Sequence, residues 1–466
     1  MVELNLAFSI PMVQLRDKLI YARPNIEQVD KQTNNDIPYL LEEEESNKSI
    51  LELENDLKGH ISSLVFPKAF ESGILKDKVK VNSYSLDFLE NNPNIPFYYY
   101  IDLWAPYRIF NKKEDIDLPE KVIKLIQKGQ GKLLFVFGTE GWFGSSDLYP
   151  LNHWFEYLDS INNDYNLPDY SIVVLSSNLI SHKNYDKYVT ETNKIHRHTI
   201  IPVEWFKHTF HFNNIESSEN QVFKKSLYYK KENNFDKHFL CLNRRIRSPR
   251  PILFAELMSN DSLKDKSYIS LTGEDELNKG SIRNNISKLK DTYKHGKTRL
   301  LQFIDSIDTT KDHVLDQPDF RVENQANNLP VDFFNKSFVN ICTETLQKPC
   351  TVFLSEKIYK PIICAQPFVL ASSPGSLQEM RNRGYQTFSK YWDESYDTEL
   401  DFTKRMDKLV DTLIYIGNLS LEECKKIYKD MIPILNNNFQ CYSSHIDHYA
   451  VINKLSYMNK AYNDET

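Results

Sequence analysis

Four arginines, Arg244, Arg245, Arg247 and Arg250, fall within seven residues and stand just before a segment that reads as a helix. Guanidinium groups carry planar donor forks that match phosphate oxygens, and the N–H groups of a helix N-terminus add the positive end of its dipole. The cluster favours an anion site suited to phosphate, with one or two of the four as direct ligands. The alternative is a solvated basic loop paired with local acids. Further along stands Asn340-Ile-Cys-Thr343-Glu344-Thr345, then a nine-residue spacer, then Ser355-Glu356-Lys357-Ile-Tyr-Lys360-Pro361. Glu356 and Lys357 fall in the first turn of a helix that Ser355 can cap. A carboxylate there can hold two ribose hydroxyls, and an ammonium can neutralise a diphosphate. The alternative is a glutamate that complements the helix dipole beside a solvated lysine.

These residues need a scaffold that brings strand ends and helix starts together. Apolar runs at Pro96–Leu103, Lys132–Phe137, Ser171–Leu175 and Thr199–Val203 read as strands, with helices over Pro119–Lys128 and His153–Asn162 and a polar loop after the third strand. A second series follows, with strands at His238–Asn243, Tyr268–Leu271, Ser337–Thr343 and Pro367–Ala371. Its helices run over Arg250–Met258, Glu356–Cys364, Ser373–Gly384, Glu399–Gly417 and Ser420–Asn436, the last opened by the capping box Ser420-Leu-Glu-Glu423. Strands alternating with helices imply parallel sheets, because parallel strands need crossover connections. The expected architecture is two α/β, Rossmann-like domains facing a cleft. The N-terminal one covers 1–228 and the second 229–440, with a C-terminal helix in 441–466 returning to the first. The polar stretch Asn213–Asp236 is the linker. The first ninety or so residues read as polar and irregular, with an acidic helix-like stretch at Leu40–Lys58. Ligands of such sheets bind outside the strand carboxyl ends.

The run from Phe338 to Ser376 resembles the donor-binding motif of the α-1,3-fucosyltransferase-like family, inverting glycosyltransferases of the two-domain GT-B fold. The family's strand ending in Phe-Glu-Asn, its Thr-Glu-Lys helix start and its Pro-initiated strand correspond here to Thr343-Glu344-Thr345, Ser355-Glu356-Lys357 and Pro367-Phe-Val-Leu370. Thr replaces Phe and Asn in the first element, and Ser replaces Thr in the second. His238–Leu257 is similar to the segment that supplies the family's diphosphate-binding arginine. The resemblance implies that Arg250 (or Arg247) and Lys357 bind the diphosphate of a GDP- or UDP-linked sugar, with Arg244 and Lys360 nearby. It implies that Glu356 binds the ribose or sugar and that Glu344 lies against the donor. It also implies a general base after an apolar strand of the first domain, where Glu140 stands in Phe137-Gly-Thr-Glu-Gly-Trp142. Flanking glycines allow close backbone approach, and Trp142 can stack on a sugar or nucleobase. A turn with a solvated glutamate is the other reading of Glu140.

Composition sets the outer limits. The chain has 466 residues, 41% hydrophobic and 13% aromatic, which suits a folded protein of two domains rather than a disordered chain. Lys and Arg number 57 against 64 for Asp and Glu, a net charge of −7, which argues against a non-specific polyanion coat but leaves room for a local basic pocket. The six cysteines lack metal-type spacing and read as buried thiols of a reducing compartment. No stretch suggests a membrane span, and the start Met1-Val-Glu-Leu-Asn does not read as a secretory signal, so a cytoplasmic protein is expected, in a host cytoplasm if viral. Abundant Asn and Lys suggest an AT-rich, phage-like source. Asp115-Ile-Asp117 reads as a chance DxD, and His208 and His211 lack a third metal ligand, so neither metal nor resident cofactor is expected. The acceptor implied is a glycan, a protein or a modified DNA base. A nucleotide-binding or virion-associated protein without catalysis is the rival reading.

Overall fold

The computed structural model describes residues 2–7, 79–84, 86–102, 118–137, 141, 143–145, 150–204, 207, 235–243, 245–271, 278–307 and 329–443, with 451, 454, 455, 457 and 458 near the end. The chain divides into two units, one of Met1–Trp205 with Ile446–Thr466 and one of Phe206–His445.

The first unit runs β1 (Val2–Ala7), β2 (Val79–Ser83), α1 (Leu86–Asn91), β3 (Phe97–Asp102), α2 (Glu120–Gln127), β4 (Gly131–Phe137), α3 (Leu151–Asp164), β5 (Ile172–Ser176), α4 (Ser181–Thr192) and β6 (His198–Pro202). Its strands form one parallel sheet in the order β2-β1-β3-β4-β5-β6. Every residue of β4 and β5 is buried, as expected for parallel strands covered on both faces. That is why these strands read as unbroken apolar runs. Gly131 is required by packing: a Cβ there would meet the Phe97 ring at 2.5 Å. Near the chain's end, Leu455 accepts a 2.7 Å hydrogen bond from the Tyr98 hydroxyl.

Four elements of this unit, β1, β2, α1 and α4, depart from the sequence reading. The region read as irregular contributes β1 and β2, and the polar loop after β5 holds the twelve-residue α4. The buried stripe of α4 is Ser181, Asn184, Tyr185, Tyr188 and Val189, a helical spacing made largely of polar and aromatic residues, so an aliphatic periodicity was absent. Leu40–Lys58 and most of the linker Asn213–Asp236 lie outside the described residues.

A buried ionic group fastens α3 and α4 to the start of β6. Asp159 accepts from Tyr188 Oη and from Lys194 Nζ, both at 2.7 Å, and pairs with His198 Nε2 at 2.9 Å. Burial opposes the Asp159 charge, but these three partners outweigh it and hold the carboxyl well below the usual range. Burial and the adjacent carboxylate push the Tyr188 hydroxyl up to about 12.

The second unit runs β7 (Lys237–Asn243), α5 (Arg250–Ser259), β8 (Ser267–Leu271), α6 (Lys279–Ser287), α7 (Lys297–Ser306), α8 (Val331–Lys336), β9 (Ser337–Thr343), α9 (Glu356–Ile363), β10 (Phe368–Ala371), α10 (Ser376–Asn382), a 3₁₀ turn (Ser395–Thr398), α11 (Phe402–Gly417) and α12 (Leu421–Ser443). Its parallel sheet has the order β10-β9-β7-β8. The last carbonyls of α11 dock on the amino edge of this sheet. Lys266 Nζ donates to Gly417 O at 2.5 Å, and His238 Nε2 lies 2.7 Å from Leu419 O. The capping box opens α12 as the sequence predicts: Ser420 N–H donates to Glu423 at 2.7 Å and Glu423 N–H returns to Ser420 Oγ at 3.2 Å. Among the described residues, no helix is long and apolar enough to cross a membrane.

A carboxylate with a lowered pKa stabilises fully above its unfolded-chain value and loses that contribution as pH falls through the folded one. Asp159→Asn should therefore cost about 3 kcal/mol near neutral pH, the scale for removing one partner of a buried ionic group. In urea unfolding across a pH series, the gap from wild type should narrow only below about pH 4. A gap that stays constant further down would mean that folding does not lower the pKa of this carboxylate.

Candidate functional site

Strand order locates a crevice in the second unit. From β7 the chain crosses to β8 on one side, and from β9 to β10 on the other, so direction reverses between the adjacent strands β7 and β9. Right-handed crossovers then place α5 and α9 on opposite faces of the sheet, and the carboxyl ends of β7 and β9 lie open between them. The side chains agree. Lys237 is paired with Ser337 and Leu240 with Asn340, so Asn243 comes level with Thr343. Their side chains meet, Thr343 Oγ1 donating to Asn243 Oδ1 at 2.5 Å. On the other face, the Cys342 thiol reaches Lys357 O of α9 at 3.6 Å.

That thiol contact follows from the sequence. Pro361 inside α9 has no N–H, so the Lys357 carbonyl loses its helical donor, and the Cys342 thiol lies near both that carbonyl at 3.6 Å and Asn340 Oδ1 at 3.1 Å, to only one of which it can donate. Burial pushes the Cys342 thiol up, well away from the thiolate form.

Arg250 is the first residue of α5 and is only 4% exposed. Its guanidinium makes long contacts of 3.4 Å to the carbonyls of Arg245 and of Thr343, the latter across on β9. Arg245 and Arg247 are half-buried in the same turn. The expectation of helical N–H groups waiting for an anion is not met at α5. Arg250 N–H donates to Arg247 O at 2.9 Å, Pro251 has none, and those of Ile252 and Leu253 go to Pro249 O. Any anion here is held by guanidinium groups and the helix dipole rather than by backbone donors.

On the α9 side, Ser355 caps the helix, its Oγ accepting from Lys357 N–H at 3.3 Å. Lys357 Nζ lies 2.8 Å from Glu356 Oε1 and 3.0 Å from Ser355 Oγ. Burial favours a neutral Glu356, but Lys357 and Lys360 outweigh it, and its pKa lies below the usual carboxylate value. Lys360 follows one turn on, half-buried. Glu344, at the end of β9, is fully buried and spends both carboxylate oxygens on Ser355, accepting from its N–H at 2.9 Å and its hydroxyl at 2.6 Å. Burial lifts its pKa, which Lys357 and Ser355 lower only in part.

The fold thus gathers Arg245, Arg247, Arg250, Glu344, Glu356, Lys357 and Lys360 at one sheet edge. Arg244, Glu140, Trp142, Asp115, Asp117, His208 and His211 lie outside the described residues. Of the segment after position 140, Gly141 and Phe143–Ser145 are described. Gly141 N–H donates to Ser177 Oγ at 3.0 Å. Asn178 and Asn184 donate to Gly144 O at 3.2 and 2.6 Å, and Trp154 Nε1 donates to Ser145 O at 2.8 Å.

Sequence reading missed the Asn243–Thr343 bridge, since neither residue type signals a cross-strand contact by itself. The acidic residues after Tyr391-Trp392 bond within the protein. Asp397 accepts from Leu377 and Gln378 N–H at 2.9 and 3.0 Å, closing the N-terminus of α10 with a carboxylate, and Glu394 pairs with Arg381 at 2.7 Å. Among the described residues, no group of three or more His, Cys, Asp or Glu side chains could hold a metal ion.

No family model and no curated protein matches the chain. Among solved structures, it is similar to α,α-trehalose 6-phosphate synthase from Burkholderia multivorans at 10% identity, over 81% of this chain and 74% of that one, with a TM-score of 0.39. It is similar to a UDP-forming trehalose-phosphate synthase from Burkholderia xenovorans in complex with glucose-6-phosphate, at 11% identity, over 79% and 75% of the chains, with a TM-score of 0.37. It is also similar to an α1,3-fucosyltransferase with GDP, at 12% identity, over 94% and 91%, with a TM-score of 0.30.

Thr343→Val keeps shape at the switch point but leaves the buried Asn243 amide oxygen without its donor. The expected cost is about 1–3 kcal/mol in denaturant unfolding. No measurable loss would mean that the hydroxyl is dispensable to the sheet edge.

Proposed function

We propose that the chain is a GT-B-type glycosyltransferase that moves a sugar from a nucleoside diphosphate sugar to an acceptor hydroxyl in one inverting, metal-independent displacement. The observation that carries this reading is the convergence at the β7–β9 edge of Arg250 from one sheet face with Glu356 and Lys357 from the other. Two fixed cations and a charged carboxylate suit a diphosphate joined to a polyhydroxylated group better than they suit an extended polyanion. Arg250 and Lys357 hold the diphosphate, with Arg244, Arg247 and Lys360 adding to the field. Glu356 accepts from ribose or sugar hydroxyls.

The first unit carries the acceptor and its base. Glu140 takes the proton of the acceptor hydroxyl as that oxygen bonds to the anomeric carbon. The bond from that carbon to the diphosphate oxygen breaks, and the departing charge falls to Arg250 and Lys357. Proton and electron pair are both accounted for, with no further reactant.

A thermal-shift screen with UDP, GDP and their sugars tests the donor half. At about a hundred times Kd, a bound nucleotide adds about 2.7 kcal/mol of stability. Lys357→Ala should weaken binding by about 1.5–3 kcal/mol, the worth of a charge-assisted contact. A full shift retained in that variant contradicts the phosphate assignment.

Turnover tests the catalytic half. Glu140→Gln should cut release of nucleoside diphosphate by roughly 10²–10⁴ while leaving nucleotide affinity intact. If the wild type releases none from any donor on the panel, a non-catalytic nucleotide-binding protein becomes the better reading.

A further inference from the structure

The connection from β9 to α9 is closed at its base by a carboxylate. Glu344 and Ser355 stand eleven residues apart, yet both Glu344 oxygens accept from Ser355, one from its N–H and one from its hydroxyl. The start of the connection is pinned as well. Gln347 Nε2 donates to the Glu344 carbonyl at 3.1 Å and to Ala371 O of β10 at 3.2 Å, while Gln347 O accepts from Arg405 Nη2 of α11 at 2.6 Å. Ser355 then passes its position on. Its hydroxyl donates to Glu344 and accepts from both the N–H and the ammonium of Lys357. A chain of contacts runs from the end of β9, through one buried carboxylate and one serine, to the cation of the first turn of α9.

We propose that Glu344 is a positioning residue for the ligand site: its carboxylate meets Ser355 rather than the ligand, and through Ser355 it sets Lys357 opposite Arg250. The inference rests on the donor reading of this site. It gives a reason for burying a carboxylate completely, which is costly unless its charge and lone pairs are met. Here two donors from one residue meet both oxygens, and Lys357 lies close enough to favour the charge. It also separates the two glutamates of the motif. Glu356 sits at the crevice with Lys357, whereas Glu344 faces into the protein.

The test combines binding and exchange. In wild type, Glu344→Gln, Ser355→Ala, Ser355→Thr and the double variant Glu344→Gln/Ser355→Ala, affinity for UDP and GDP is measured by calorimetry. Amide exchange across residues 355–360 is followed without ligand. Loss of a hydrogen bond to a charged group is worth about 1.5–3 kcal/mol, roughly 10–100-fold in affinity. Glu344→Gln and Ser355→Ala should each lose about that much, with faster exchange in α9. The double variant should lose little more than either single one, because both break the same contact. Ser355→Thr, which keeps the hydroxyl, should retain affinity. Ser355→Ala leaves the N–H contact to Glu344 in place, so it carries the test if Glu344→Gln fails to fold.

If the wild type binds neither nucleotide, the donor reading fails and the positioning role falls with it. If the wild type binds and Ser355→Ala binds equally well, the positioning role alone fails. Losses that add in the double variant would give Glu344 a direct contact with the ligand instead.

Discussion

The parallel pairing of β7 with β9 is the constraint on which the second unit depends. Once these two strands lie side by side, each leading to a neighbour on its own outer side, crossover handedness decides which sheet face each following helix must cover. The residues that open those helices have little freedom left. Arg250 must come over the edge from one face, Lys357 from the other, and the strand ends that separate them must be short and rigid. The Thr343–Asn243 bond supplies that rigidity at the seam, and the Arg250 contact to the Thr343 carbonyl ties the first helix start to the second strand.

Three helix starts crowd the carboxyl edge of this sheet, and they are finished in different ways. At α10 the N–H groups are met by the Asp397 carboxylate, an internal anion in the place where an external one would sit. At α9 the cap is a neutral hydroxyl followed by a paired glutamate and lysine. At α5 the N–H groups are spent within the Arg245–Pro249 turn or removed by proline, and an arginine heads the helix. Among these three starts, α5 alone has no carboxylate in its cap or first turn, whereas at α9 the N-cap N–H is met by Glu344 and Glu356 stands in the first turn.

Much of this was legible in the sequence, for identifiable reasons. Buried parallel strands announce themselves as runs such as Gly131–Phe137, and caps such as Ser355 and Ser420 have short-range signatures. The candidate cations stood out because arginines cluster rarely by chance in an acidic chain. What escaped notice depends on long-range pairing. β1 and β2 are short and alternate polar with apolar residues, and they become strands through pairing with each other and with β3. α4 buries Ser181 and Asn184 where an aliphatic stripe would have been the signal. The task of Glu344 was equally hidden: the motif marks it as one of two acidic residues near a ligand, and only its distance to Ser355 separates it from Glu356.

The differences between this sequence and the fucosyltransferase-like motif it resembles then gain a physical sense. A threonine at 343 in place of an aromatic residue buys a hydroxyl that bonds Asn243, a polar seam where an aromatic ring would have been an apolar one. A serine at 355 in place of threonine keeps the one group that the Glu344 clasp and the α9 cap both need, since the hydroxyl serves as donor to one and acceptor to the other. Substitutions that preserve the hydrogen-bond logic while changing the side chain are what a site tolerates when its geometry matters more than its residue names. The same net charge of −7 then takes on a different meaning. It is the sum of 57 basic and 64 acidic residues over the whole chain, and the field at the β7–β9 edge is set by the charges the strand order gathers there, not by the sum.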